Sequence, residues 1–221
     1  MFSSKLADSR LGLSKSQLKQ DVFVLDQLGL KENGYFVEFG ATDGLLHSNT
    51  WLLENHFGWS GILSEPSKWW HNAIHTNRKC HIDTACIWKE SNIEVLFNEV
   101  DANVVHYANE LSTIDLFSNC DNHANVRTFG KKYAVNTLSL SDLLQKYNAP
   151  RTIDYLSIDT EGSEFEILKA FDFTQYEIKI ITCEHNYTEL RDEIHNFLSE
   201  KGYVRKLEQF SAWDDWYVLS K

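Results

Sequence analysis

Carboxylates and glycines recur in this sequence directly behind apolar runs. Glu38, Gly40, Asp43 and Gly44 lie in "YFVEFGATDG", Glu65 follows "SGILS", Asp83 closes "KCHID", Asp159 and Glu161 follow "IDYLSI", and Glu184 and His185 follow "IKIITC". Gly40 and Gly44 let a backbone turn sharply and come close to a ligand, because glycine carries no Cβ. The turn they frame lacks both the lysine of a phosphate-binding P-loop and the GxGxxG of a dinucleotide fingerprint. Its own acids, Glu38 and Asp43, repel a pyrophosphate and suit a ligand with a positive centre and an ammonium group. Glu65 stands about 20 residues beyond the turn, the spacing of an acid that hydrogen-bonds ribose hydroxyls.

Such chemistry needs elements that bring the run ends together. "SKSQLKQDVFVLDQLGLKENG" sets Leu18, Val22, Leu25 and Leu28 at helical spacing, with Ser14 or Ser16 as the cap. "YFVEFGA" reads as a buried strand, "TWLLENHF" as a helix stopping at Gly58, "SGILSEPS" as a strand broken by Pro66, and residues 67–78 as a helix. "KCHIDTACIW" and "IEVLFNEV" supply two extended runs. Residues 101–134 carry no clean period and are too long for an ordinary connection, which predicts a lid or substrate-binding insertion with short helical pieces. Beyond it, "TLSLSDLLQKY", "SEFEILKAF" and "TELRDEIHNFLSEKG" read as helices, with "IDYLSID" and "YEIKIITCEHN" as strands between them. "YVRKLEQF" and "DWYVLS" read as a closing antiparallel hairpin. This alternation predicts one α/β domain over residues 1–221, with an N-terminal helical segment (1–34) and a mostly parallel sheet covered on both faces. In such sheets ligands bind beyond the carboxyl ends of the strands, where the acids stand. A ligand with a ribose, a cationic part and no essential phosphate fits S-adenosylmethionine.

"SQLKQD", "GYFVEFGATDG", "SNTWLLE", "GWSGILSEPS", "IDYLSIDTEGSEFEIL" and "EHN" occur in the order and spacing of the FkbM family of S-adenosylmethionine-dependent methyltransferases. The chain resembles that family from residue 16 to about 205, apart from the insertion. The resemblance implies a Rossmann-like class I methyltransferase fold, with a seven-stranded, mostly parallel sheet ending in the antiparallel hairpin. It implies that Glu38, Gly40, Ala41, Asp43 and Gly44 hold the methionine part, that Glu65 takes the ribose, and that Asp83 and Ala85 lie near adenine. Ser48, Asn49 and Thr50 match the family's SNT segment and either line the cofactor pocket or cap the helix that follows. Gln20 and Asp21 match its QD. The implied reaction is O-methylation of a sugar hydroxyl in a glycan or glycoconjugate. A polyketide or other small metabolite is the alternative acceptor, and a non-catalytic cofactor-binding module of a glycan-assembly system the alternative role.

Methyl transfer from a sulfonium is an in-line displacement, so catalysis is mostly alignment, with a base where the acceptor is a poor nucleophile. His185 is the expected base, since imidazole titrates near neutrality, with Glu184 or Asp159 orienting it. The same three groups, Asp159, Glu184 and His185, could instead bind a divalent cation that acidifies the acceptor hydroxyl. Glu161 and Gly162 are expected to form a strand-to-helix turn at least as readily as to act in catalysis. His71 and His75, at i and i+4 without the glutamate of a metalloprotease helix, read as a solvated face. Trp69, Trp70, Trp213 and Trp216 read first as packing and second as platforms for a sugar ring. His106, Tyr107, His123 and Arg127 in the insertion are the groups suited to substrate choice.

The 32 acidic against 21 basic residues, a formal charge of −11, disfavour nucleic acid and an anionic membrane face as partners. No spanning segment or signal peptide is recognisable, and four cysteines without a CxxC pattern read as reduced thiols, so a cytoplasmic location is expected. No pattern in the sequence reports on oligomeric state.

Overall fold

Phe36 and Val37 are neighbours in sequence but belong to two different cores, the mark of a strand buried on both faces. The computed structural model describes residues 8–101 and 108–220. Its strands are β1 (Tyr35–Phe39), β2 (Ser60–Ser64), β3 (His81–Asp83), β4 (Cys86–Trp88), β5 (Glu94–Glu99), β6 (Thr113–Ile114), β7 (Lys131–Ser139), β8 (Thr152–Ile158), β9 (Glu177–Glu184), β10 (Tyr203–Lys206) and β11 (Asp214–Leu219). Its α-helices are α1 (Gln20–Gln27), α2 (Trp51–Phe57), α3 (His71–Asn77), α4 (Ala124–Arg127), α5 (Leu140–Lys146), α6 (Glu164–Ala170) and α7 (Leu190–Glu200).

Seven strands form the main sheet in the order β10-β11-β9-β8-β1-β2-β3. The strands from β3 to β9 run parallel, whereas β11 is antiparallel to β9 and β10 to β11, so the closing hairpin is present. Val37 pairs with Ile62 on one side and Leu156 on the other, which places β1 inside the sheet, next to the central strand β8. Parallel neighbours require crossovers, and the helices that supply them cover both faces. Val22 to Leu25 of α1, Leu52, Leu53 and Phe57 of α2, and Ile74 of α3 pack on Phe36, Leu63, Tyr155 and Ile180. Leu143 and Leu144 of α5, Ile167 and Leu168 of α6, and Ile194 and Leu198 of α7 pack on Val37, Ile62, Leu156 and Ile181. This is the Rossmann-like α/β arrangement expected.

A second sheet, in the order β4-β7-β5-β6, was not foreseen. Its longest strand, β7, spans the end of the expected insertion and the start of the expected helix at Thr137. Only alternate side chains of "KKYAVNTLS" turn inward: Tyr133 and Val135 join Trp88, Phe97 and Ile114 in a small core, while Lys132 and Ala134 face solvent. The first helix also starts later than Leu18 suggests. Lys19 adopts a left-handed conformation (φ 67°), and Ser14 and Ser16 bind the Asp21 side chain rather than capping the helix. Likewise α3 begins at His71, four residues after the expected Ser67, because Ser67 to Trp70 form a turn closed by the Trp70 amide on the Ser67 carbonyl.

Candidate active site

The loop after β1 owes its shape to glycine. Gly40 has φ of 70°, and a Cβ there would lie 1.8 Å from the carbonyl oxygen of Asp159, so the exits of β1 and β8 touch at this point. Gly44, at φ of 76°, passes against Arg78, whose side chain a Cβ would meet at 2.5 Å. Glu65, at the exit of β2, ties the two neighbouring loops together: it accepts from the amide of Thr42 (2.8 Å) through Oε2 and from that of Ser67 (2.8 Å) through Oε1. Burial pushes its pKa up to about 8. Glu38 is enclosed by the SNT segment, accepting from the Asn49 amide at 2.7 Å and from the hydroxyls of Ser48 and Thr50. Arg78, wholly buried, lies 3.6 Å from Glu38 and donates to the carbonyl of Gly44 and the hydroxyls of Ser48 and Thr50. Nothing in the sequence marks Arg78, which stands beside Lys79 behind a short helix.

These loops form one side of a cavity of about 430 Å³, a size that fits a small-molecule ligand. Glu38, Gly40, Thr42, Ser48, Asn49 and Glu65 line that side. Asn49 is nearly fully buried, and its Oδ1 has no hydrogen-bond partner among the described residues. Cys86 and Ile87 of β4, Phe97 of β5 and Ile114 of β6 add an apolar wall, so the small sheet positions part of the site. None of the described lining residues is a lysine or an arginine.

On the far side Asp159, Glu161 and Glu184 converge, one carboxylate oxygen of each lying within 4.8 Å of the others. Burial first, and then the repulsion of neighbouring carboxylates, raises the pKa of all three. Glu161 sits in the left-handed region (φ 60°), and its Oε2 accepts from Arg127 (2.6 Å) and Asn186 (3.3 Å). Arg127 has no exposed side-chain surface. It also binds both carboxylate oxygens of Asp121 and the carbonyl of Leu111, which fastens the insertion to the turn after β8. Asn186, Tyr187 and Trp213 complete this side.

The methyltransferase FkbM domain family matches residues 38–205, which span both halves of this cavity. The chain belongs to the FkbM methyltransferase family. It is therefore a methyltransferase, and S-adenosylmethionine is the donor that this membership implies. Among solved structures, the methyltransferase FkbM from Methylobacillus flagellatus KT is similar over 97% of this chain and 56% of its own, at 11% identity and a TM-score of 0.51. This chain thus spans little more than half of that protein, and the likeness is one of fold. The precorrin-6y C5,15-methyltransferase from Geobacter metallireducens GS-15 is similar over 90% of this chain and 84% of its own, at 11% identity and a TM-score of 0.46. No curated protein matches the sequence.

The FkbM methyltransferase departs from the sequence reading at named places. His185 does not line the cavity. Its Nδ1 accepts from the Tyr187 amide, and its Nε2 lies 3.9 Å from Asp215, which is itself held by Arg191 and Arg205. Burial lowers its pKa. Consecutive side chains at a strand end diverge, so when Glu184 faces the cavity His185 faces away. The structure therefore places His185 away from Asp159 and Glu184 on the cavity wall, and Glu161 is the third acid of the cluster.

Asp83 and Ala85 are also off the cavity wall: Asp83 pairs with Lys146 at 2.7 Å and accepts from the Ala85 amide. Asp43 caps the turn by accepting from the amides of Leu45 and Leu46, Ala41 packs in the core, and Gly44 and Thr50 stand behind the lining residues. Gln20 binds Asp214 at 2.7 Å, anchoring α1 to β11.

Trp70 and Trp213 reach the cavity, whereas Trp69 is exposed and Trp216 is buried against Phe23. His71 bonds the carbonyl of Glu65, His75 is exposed, and His123 lines the cavity. His106 and Tyr107 lie outside the described residues. Among the described residues no helix is long and apolar enough to cross a membrane.

Proposed function

We propose that the protein methylates a sugar hydroxyl of a glycan or glycoconjugate, using S-adenosylmethionine. The observation that carries this reading is the far side of the cavity, where Asp159, Glu161 and Glu184 converge and where Tyr187 and Trp213 are also among the lining residues. Carboxylates accept hydrogen bonds from neighbouring hydroxyls, aromatic faces take the C–H face of a pyranose, and the lack of lysine and arginine on the described lining disfavours phosphorylated acceptors.

The residues opposite fit the donor. Both oxygens of Glu65 are fixed by backbone amides and keep lone pairs for ribose hydroxyls. The unpartnered Oδ1 of Asn49 is an acceptor for the ammonium of the methionine part. S-adenosylmethionine, when bound, supplies the methyl group as a sulfonium electrophile. The C–S bond breaks as the C–O bond forms, and the hydroxyl proton leaves to a carboxylate oxygen of Asp159 or Glu184, or is acidified by a cation held there.

Incubation with methyl-labelled S-adenosylmethionine and a panel of free sugars, oligosaccharides and non-sugar alcohols tests the reading. Label on sugars alone is the expected result. Label confined to non-sugar hydroxyls overturns the acceptor class, and donor binding without label on any acceptor overturns catalysis.

A further inference from the structure

We infer that Asp159, Glu161 and Glu184 form a site for one divalent cation of the hard, oxygen-preferring kind. Its use in catalysis rests on the O-methyl transfer proposed above; its existence rests on geometry. The three oxygens lie within 4.8 Å of one another. Oxygens that share an ion at roughly 2.0–2.6 Å can lie up to about 4–5 Å apart, so three oxygens at this spacing can meet one ion. The donor set is all carboxylate, which selects magnesium, manganese or calcium over softer metals.

Two further observations point to a ligand between these groups. Glu184 is only 6% exposed, yet its Oε2 has no hydrogen-bond partner among the described residues. A buried acceptor left empty is costly, and buried polar atoms without protein partners commonly meet an ion or a water. The charge balance is also incomplete. Arg127 answers Glu161 from the outer side at 2.6 Å, and no arginine or lysine is among the described lining residues. Two carboxylates, Asp159 and Glu184, remain uncompensated, so a divalent ion neutralises the cluster where a substrate ammonium leaves a charge over.

Glu161 is held in place for this role by Arg127, against a left-handed backbone that a glutamate rarely adopts. An ion here would lie on the acceptor side of the cavity, across from Glu65, and would lower the pKa of a hydroxyl that reached it. The competing occupant is a proton shared by Asp159 and Glu184.

The test is manganese titration of the whole chain without acceptor, followed by electron paramagnetic resonance of free Mn²⁺, with S-adenosylmethionine binding measured separately by calorimetry. One Mn²⁺ per chain, displaced by Mg²⁺, is the expected result. Asp159→Asn and Glu184→Gln should each weaken it on the order of tenfold or more, with Glu166→Gln on the outer part of α6 leaving it unchanged. Melting curves of the metal-free variants establish that they fold, and Glu184→Gln, which removes a buried charge, is the variant to rely on if Asp159→Asn unfolds. Binding by the native chain no tighter than by Glu184→Gln overturns the cation in favour of the shared proton. Donor binding is unaffected by that outcome, so the methyltransferase reading stands or falls on its own measurement.

Discussion

Glu65 and His185 show how far a side chain's use depends on what surrounds it. Glu65 is clamped by two amides, and its burial is costly when it is ionised. Glu65→Gln should therefore weaken S-adenosylmethionine binding by about 1.5–3 kcal/mol, the worth of a hydrogen bond to a charged group, and should also lower the melting temperature of the empty protein, because a carboxamide accepts from only one of the two amides. Calorimetry beside a melting curve checks both, and unchanged affinity would remove Glu65 from the donor site. His185 is turned toward Asp215. Accordingly His185→Gln should cost far less activity than the roughly 100-fold or more lost with a general base, and a loss of that size would restore the histidine to the reaction.

Among the elements, the small sheet and the insertion decide how the acceptor side is held. Arg127 on α4 is the junction: its guanidinium, with no exposed surface, spans Asp121 and Glu161. Arg127→Met leaves two buried carboxylates unpaired and should cost about 3–5 kcal/mol in chemical denaturation, with Arg127→Lys losing less because it keeps the charge. The main sheet was legible because β1, β2, β8 and β9 are buried on both faces and so read as largely apolar runs, interrupted only by single polar residues such as Glu38, Asp154 and Lys179. β7 was not, since its Tyr133 and Val135 are separated by solvent-facing Lys132 and Ala134 and bury only against a small core. The positions of Glu38 and Glu65 were legible for a similar reason, as each stands at the end of an apolar run. The acceptor side needed the fold: the left-handed backbone of Glu161, the outward turn of His185 and the arrival of Arg127 from 34 residues away are settled by tertiary contacts.

For the molecule as a whole, buried acids make stability depend on pH. Burial raises Glu65 from 4.5 to about 8, Asp214 from 3.8 to about 7 and Asp21 from 3.8 to about 6. A carboxyl whose pKa is raised by folding binds protons more tightly in the native state, so its contribution is complete below the unfolded value and is lost as pH climbs through the folded one. His185, lowered from 6.5, acts in the opposite sense only below its ordinary value. Between about pH 6.5 and about pH 8.5 the empty protein should therefore lose stability. A loss of about 1 kcal/mol moves the melting midpoint of a chain this size by roughly 2–4 °C, and a fall of that order or more is expected in a pH series of melting curves. A midpoint that rises across this range would contradict the assignment of these acids.

The position of β1, between β2 and the later strand β8, has a consequence for how the protein comes into being. The Tyr35 amide donates to Asp154 across a separation of 119 residues, and Gly40 closes against the carbonyl of Asp159. Contacts of such range form slowly, because a long loop must be closed before they are gained. During synthesis, β1 and β2 leave the ribosome with one edge unpaired, and the loop between Gly40 and Gly44 has no wall to lean on. The cavity proposed for the methyl donor begins with the first quarter of the chain, yet it is assembled only after the strand that ends at Ile158 has been made.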